Sequence, residues 1–312
     1  MIKWGCALVI LVHPFSMSFL LMFSDFKAIV RQNVPLAMHT WMQLGGPAEY
    51  FAEPRSTEEL ASLLKIAHEE NLPVHTLGIG SNILVPDEGV AGLVFRFTAP
   101  EFTDIRSEGN LVFAGSGAKL GRVITHSVHA GLGGIEGLIG IPGTVGGALV
   151  ANAGTNNDDI GQAVKQVNII TEAGEIRELS RNEISFEYRH SSLEETIILS
   201  ATLQLQEEDS FELSRRLQKL WIFRKTSQPM GHQCTGLVFK NPRGMIAGDL
   251  IEKAGLKGTR IGGAAISERN ANFIVVEAEC TSNDVLRLIE LVQTQVHKRL
   301  DIDLEVGLEL WK

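Results

Sequence analysis

The chain has 312 residues, 44% hydrophobic and 21% charged, with 31 Gly, 2 Tyr, 3 Cys and a formal net charge of −9. That apolar content excludes a disordered chain, three cysteines exclude a disulfide scaffold, and the lack of a glycine period excludes collagen. The acidic balance repels phosphate backbones at long range, so no nucleic-acid partner is expected. A phosphorylated small molecule would need only one local positive pocket.

The length suggests about two domains. Residues 4–23 form an apolar stretch after Lys3, broken by His13-Pro14. Three readings stand: a start codon assigned too far upstream, with translation from Met17 or Met22; a signal or anchor; or an N-terminal packing segment. No stable membrane anchoring is expected unless that leader is real. Cys6, Cys234 and Cys280 are scattered without a CxxC pair, which reads as free thiols in a reducing compartment and gives no metal site.

Ser56-x-x-Glu59 is a capping box, and Leu60, Leu63, Leu64 and Ala67 recur at helical spacing, predicting a helix over 54–70. Strands follow at 74–79 and 93–97. A strand at 111–114 leads through Gly115-Ser116-Gly117 into a helix ending near Ala130. Segments 167–171 and 176–179 flank Glu172-Ala173-Gly174-Glu175, a hairpin signal, and 197–205 reads as a long strand. The polar run 206–210 marks a boundary before a basic amphipathic helix over 211–225. A last helix over 284–300 carries Val285, Leu288, Ile289, Val292, Val296 and Leu300 on one face, a core stripe. Strands and helices do not alternate regularly, so the class is α+β rather than doubly wound.

The glycines cluster, nine of them between Gly131 and Gly154. Gly78-Ile79-Gly80-Ser81-Asn82 follows an apolar strand, where glycines let successive backbone N–H groups approach an anion. The second cluster is Gly140-Ile141-Pro142-Gly143-Thr144-Val145-Gly146-Gly147, with Asn152-Ala153-Gly154 beyond it. Two such clusters suit a pyrophosphate on an extended cofactor, or tight turns in a crowded domain. Residues Gly115 to Gly121 depart from the dinucleotide fingerprint by one position and lack its βαβ context, so they read as a turn.

In order along the chain, these blocks resemble the UDP-N-acetylenolpyruvoylglucosamine reductase family. The resemblance runs from about residue 36 to 311. It is carried by His39-Thr40 with Leu44-Gly45-Gly46-Pro47-Ala48, both glycine clusters, Tyr188-Arg189-x-Ser191, Gln228-Pro229 and Phe239-Lys240-Asn241-Pro242. Gly255-Leu256-Lys257-Gly258, Arg260-Ile261-Gly262-Gly263-Ala264 and Asn272-Phe273-Ile274-Val275 complete it. The spacing after Tyr188 resembles the short form of the family, without an inserted loop over the substrate.

The resemblance implies an FAD-binding domain of the vanillyl-alcohol-oxidase type over 27–208 and a smaller α+β substrate-binding domain over 209–312, after the leader at 1–26. It implies noncovalent FAD, NADPH as reductant, a UDP-linked amino-sugar substrate and a cytoplasmic role in peptidoglycan synthesis. Gly78 to Asn82, Gly140 to Gly147, Asn152 and Gly154 would hold FAD. Tyr188, Lys240, Asn241 and Lys257 would meet the substrate, and Arg189 would stabilise the enolate formed as hydride arrives. The family's proton donor (Ser or Cys) and catalytic Glu fall at Leu237 and Gly307, neither of which carries a proton to give. This implies either weakened turnover or an inactive FAD- or nucleotide-binding paralogue. Cys234, Thr235, Glu305 and Glu309 are the possible substitutes. Glu305 and Glu309 would share a strand face with Gly307.

Overall fold

Strands β1 (Val30–Pro35), β2 (Pro47–Ala52), β3 (Val74–Thr76), β4 (Ile83–Leu84) and β5 (Val90–Phe95) open the chain. Four of them make a sheet in the order β1-β2-β5-β3, with β5 parallel to both β2 and β3. The computed structural model describes residues 22–155, 158–229 and 233–312, so nearly all of the apolar leader, and Cys6 with it, lies outside the described residues. Helix α1 (Thr57–Glu69) starts where the capping box predicts, with Ser56 Oγ accepting from the Glu59 N–H. Its Leu60, Leu63, Leu64 and Ala67 face is buried against Tyr50 and Phe95 of the sheet.

A second, antiparallel sheet contains β6 (Ile105–Glu108), β7 (Leu111–Gly115), β8 (Val164–Ile170) and β9 (Ile176–Ser180). After β10 (Phe186–Glu187) and β11 (His190–Ser191), which pair with each other, β12 (Ile197–Gln204) completes it in the order β9-β8-β12-β7-β6. Ile170 lies opposite Ile176, the predicted hairpin. Helices α2 (Leu120–His129) and α3 (Val145–Val150) bury Val123, Ile124 and Leu149 over this sheet. Helix α4 (Ser210–Ser227) opens the region assigned by sequence to the second domain, yet it packs on the first. Arg216 bonds Glu136 and Glu208, and Arg224 Nη2 donates to the Gly137 carbonyl at 3.0 Å.

The C-terminal unit holds α5 (Ala247–Lys253), the antiparallel strands β13 (Arg260–Ile261), β14 (Ala264–Ile266) and β15 (Ile274–Val276), and helix α6 (Ser282–Leu300). Val285, Leu288, Ile289, Val292 and Val296 of α6 are buried in one core with Ile251 and Ile274. Two links bind this unit to the first. The last strand, β16 (Glu309–Leu310), runs parallel to β4. Both carboxylate oxygens of Asp87 accept from the first N–H groups of α6, Ser282 at 2.8 Å and Asn283 at 3.0 Å. These donors have no intrahelical partner, and a negative charge complements the helix dipole. Among the described residues Cys280 is a free thiol and Cys234 is buried, and no helix is long and apolar enough to cross a membrane.

Candidate active site

A cavity of about 2120 Å³ lies between the two sheets and the C-terminal unit. The first glycine cluster lines it. After β3 the chain bends through Gly78, Ile79, Gly80, Ser81 and Asn82 before β4. Among the described residues none of these five backbone N–H groups donates a hydrogen bond within the protein. Gly80 has φ +63°, and a Cβ there would sit 2.6 Å from Thr40 Cα, so no side chain fits. Ser81 Oγ donates to the Pro142 carbonyl at 2.6 Å, which pins this turn to the second cluster. Gly140, Ile141, Pro142, Gly143, Thr144, Gly146 and Gly147 line the opposing wall, as does Gly154. Thr144 caps α3, its Oγ1 accepting from the Gly147 N–H.

These groups fit FAD. Five consecutive unpaired donors suit a pyrophosphate. Gly143 and Gly147 are not crowded, since an added Cβ would make only ordinary contact, at 3.9 and 3.7 Å. Ser116 Oγ is buried without a partner among the described residues and belongs to the cavity wall, an orphan that a bound polar ligand would satisfy. Asn152 is different. It is 4% exposed, with Nδ2 donating to the Glu187 carbonyl and Oδ1 accepting from the Gly161 N–H, so it braces the wall from behind.

The site also contains residues that the sequence reading left out. Gly115 to Gly121, read as a turn, do turn before α2 opens at Leu120, and the segment from Ser116 to Arg122 lines the cavity as well. Gly117 passes under Phe97, where a Cβ would meet the carbonyl oxygen at 1.9 Å. Gly115 and Gly117 serve close packing, which is why dinucleotide spacing does not reveal the segment. His39, in the turn after β1, and Arg96, just past the end of β5, also line the cavity. Burial, then the Arg96 charge, lowers the His39 pKa, leaving a neutral ring whose Nδ1 accepts from Arg96 Nη1 at 3.0 Å.

On the far wall Tyr188 and Arg189 form the two-residue turn between β10 and β11, with Arg189 at φ +59° and its guanidinium 5.5 Å from the Tyr188 ring centre. Left-handed backbone at a non-glycine residue costs ~1–3 kcal/mol and is concentrated at functional sites. Arg224 of α4 faces the same space, and its pKa is lowered by burial and then by the Arg189 charge. Neither arginine forms an ion pair among the described residues. Two uncompensated guanidiniums in one cavity make the local positive pocket that an acidic chain needs for an anionic ligand. Arg224 was legible only as part of a basic helix, since nothing local says which face meets a cavity.

Lys240 reaches the cavity with Nζ 2.7 Å from Glu305 Oε1. Asn241 does not line it. The Asn241 Oδ1 accepts from the Ala247 N–H, starting α5, and its own N–H donates to Tyr188 Oη at 3.2 Å. Lys257 also lies outside the lining, paired with Glu252 at 2.9 Å. Leu237 and Gly307 both line the cavity, and a Cβ on Gly307 would lie 3.5 Å from the Leu237 carbonyl oxygen. Glu305 and Glu309 part company. Glu305 turns its side chain to solvent, 71% exposed, whereas Glu309 faces the cavity. The segment before β16 is bent rather than a regular strand, so the expected shared face holds for Glu309 alone.

Comparison with known proteins matches the chain in two parts. A family described as an FAD binding domain matches residues 48–180, and one described as the C-terminal domain of UDP-N-acetylenolpyruvoylglucosamine reductase matches residues 228–311. UDP-N-acetylenolpyruvoylglucosamine reductase 2 of Symbiobacterium thermophilum is 42% identical over 284 residues, covering 90% of this chain and 92% of that protein. The reductase of Moorella thermoacetica is 42% identical over 286 residues, covering 91% and 94%. The crystal structure of the reductase from Thermus caldophilus superposes with a TM-score of 0.80 at 36% identity, over 91% of this chain and all of that one.

Proposed function

Because the chain belongs to the UDP-N-acetylenolpyruvoylglucosamine reductase family, we propose that it binds FAD and uses NADPH to reduce UDP-N-acetylenolpyruvoylglucosamine to UDP-N-acetylmuramate, a cytoplasmic step of peptidoglycan synthesis. One observation carries this reading. A turn of five unpaired backbone donors and a pair of uncompensated guanidiniums line the same cavity. When bound, FAD would supply the two-electron carrier between NADPH and the alkene of the substrate.

The residues of the chain supply the rest. The N–H groups of Gly78 to Asn82 and the wall from Gly140 to Gly147 hold the cofactor, with Gly154 and Ser116 beside them. Arg189 holds the substrate carboxylate. As hydride adds to one alkene carbon, charge spreads from the other into that carboxylate, and a fixed cation there lowers the barrier. Arg224, Lys240 and Tyr188 meet the diphosphate, with Asn241 positioning Tyr188 through its N–H. The cofactor unit is taken as 27–208 and the substrate unit as 209–312, with α4 bridging them.

Leu237 and Gly307 are the observation behind a second reading, a flavin-binding relative without turnover. Purified holoprotein separates the two by NADPH oxidation with and without the enolpyruvyl substrate. Substrate-dependent oxidation supports the reductase. A yellow protein that oxidises no NADPH in response to substrate supports the second reading. A protein that takes up no FAD overturns both.

A further inference from the structure

Reducing an alkene takes a proton as well as a hydride, so one acid in the cavity must give a proton to the second carbon. Resting on the reductase reading, we infer that the Glu309 carboxyl is that acid, held against the cofactor turn on the strand face it shares with Gly307 and Trp311.

The backbone geometry places it. From Gly307 onward, alternate residues Gly307, Glu309 and Trp311 line the cavity, while Leu308 between them is buried in the core. Asn82, the last residue of the cofactor turn, is bracketed by this strand. Its Nδ2 donates to the Gly307 carbonyl at 3.1 Å, and its own carbonyl accepts from the Glu309 N–H at 2.9 Å. Trp311 Nε1 donates to Glu309 Oε1 at 2.9 Å, fixing the carboxyl and leaving its second oxygen to carry a proton.

The surroundings shift Glu309 toward its protonated form. Burial is the main cause that pushes the Glu309 pKa up, and the Glu194 charge adds to it against the Trp311 hydrogen bond. The titratable groups seen beside it are Glu194, just before β12, whose charge acts on it, and His75 of β3, close to its partner Trp311. The His75 ring lies 4.8 Å from that of Trp311, and burial lowers its pKa, so it brings no positive charge at neutral pH. No cation pairs with Glu309 among the described residues.

Cys234, Thr235 and Tyr188 are placed less well. The Cys234 thiol is pushed up by burial and bonds Trp41. Thr235 Oγ1 accepts from the Ile274 N–H and is 2% exposed. Tyr188 stands on the opposite hairpin with Arg189.

The step balances simply. Hydride forms a C–H bond at one alkene carbon, and the π pair moves to the other, delocalised into the substrate carboxylate. The O–H bond of Glu309 breaks, its proton forms the second C–H bond, and the Glu309 carboxylate regains a proton from water.

Glu309→Gln in the holoprotein tests this, with substrate reduction, flavin reduction by NADPH and the infrared carbonyl stretch of a protonated carboxyl followed separately. The expected result is a fall of ~10²–10⁴ in substrate reduction, unchanged flavin reduction, and loss of the protonated-carboxyl band. In the wild type, substrate reduction falls as pH rises through the elevated Glu309 pKa, and E309Q lacks that limb. Trp311→Phe, which removes the hydrogen bond favouring the carboxylate, moves the limb to higher pH. If E309Q loses its flavin, this second variant decides, and an unmoved limb overturns the inference. An E309Q rate equal to wild type overturns it while leaving the reductase reading intact. A wild type that never reduces the substrate removes both.

Discussion

On one side of the cavity, Gly78 to Asn82 present backbone donors without partners among the described residues. Next to them, with Gly307 held to Asn82 by a hydrogen bond, Leu237 and Gly307 adjoin where side-chain chemistry would be done, and neither can donate a proton. A backbone site tolerates substitution almost anywhere except at the glycines that shape it. A site built from side chains loses its chemistry with one substitution while its packing survives. Gly307 shows this directly, because its N–H still donates to the Val238 carbonyl at 2.7 Å and its carbonyl still accepts from Asn82. The strand is kept although no side chain stands at that position.

Arg189→Ala should break the side-chain wall most severely. Removing the charge at the substrate carboxylate is expected to lower kcat/KM by ~10²–10³, with flavin content unchanged in the absorbance spectrum. Gly80→Ala attacks the backbone wall instead. Its Cβ collides with Thr40 Cα in a left-handed conformation, and a cost of about 1–3 kcal/mol is expected, read as loss of flavin in equilibrium dialysis. The two variants should separate cleanly, one yellow and slow, the other depleted of colour.

Leu237→Ser with Gly307→Glu should sharpen the contrast from the other direction. A Cβ at Gly307 meets Lys240 Cγ at 3.6 Å, ordinary contact, so a side chain fits there. Adding a second acid is expected to raise turnover by roughly tenfold, measured as substrate-dependent NADPH oxidation. The smallest effect concerns the join between the units. Asp87→Ala removes two hydrogen bonds at the start of α6 and should cost about 1–2 kcal/mol in denaturant unfolding, with flavin still bound.

What the sequence reveals follows the same division. The α1 capping box, the hairpin with Ile170 opposite Ile176 and the apolar stripe of α6 are local patterns, and each is legible residue by residue. The glycine turns are legible too, since only a backbone requirement explains so many glycines in order. Which side chains converge is another matter. Arg224 enters from a helix 35 residues beyond Arg189, and only tertiary packing brings the two together. Strand periodicity predicts one face for Glu305 and Glu309, but the bend at Leu308 and the Lys240 partner turn Glu305 outward. Lys257 sits in a block that resembles the family, yet its partner is Glu252, away from the cavity.

The central claim is that an intact cofactor wall still serves reduction of the enolpyruvyl group beside Leu237 and Gly307. Anaerobic mixing tests it most directly. Holoprotein is first bleached with one equivalent of NADPH and then mixed with UDP-N-acetylenolpyruvoylglucosamine while flavin absorbance is followed. The account predicts that the yellow colour returns in proportion to substrate added. Flavin that bleaches normally and stays bleached in excess substrate would contradict it.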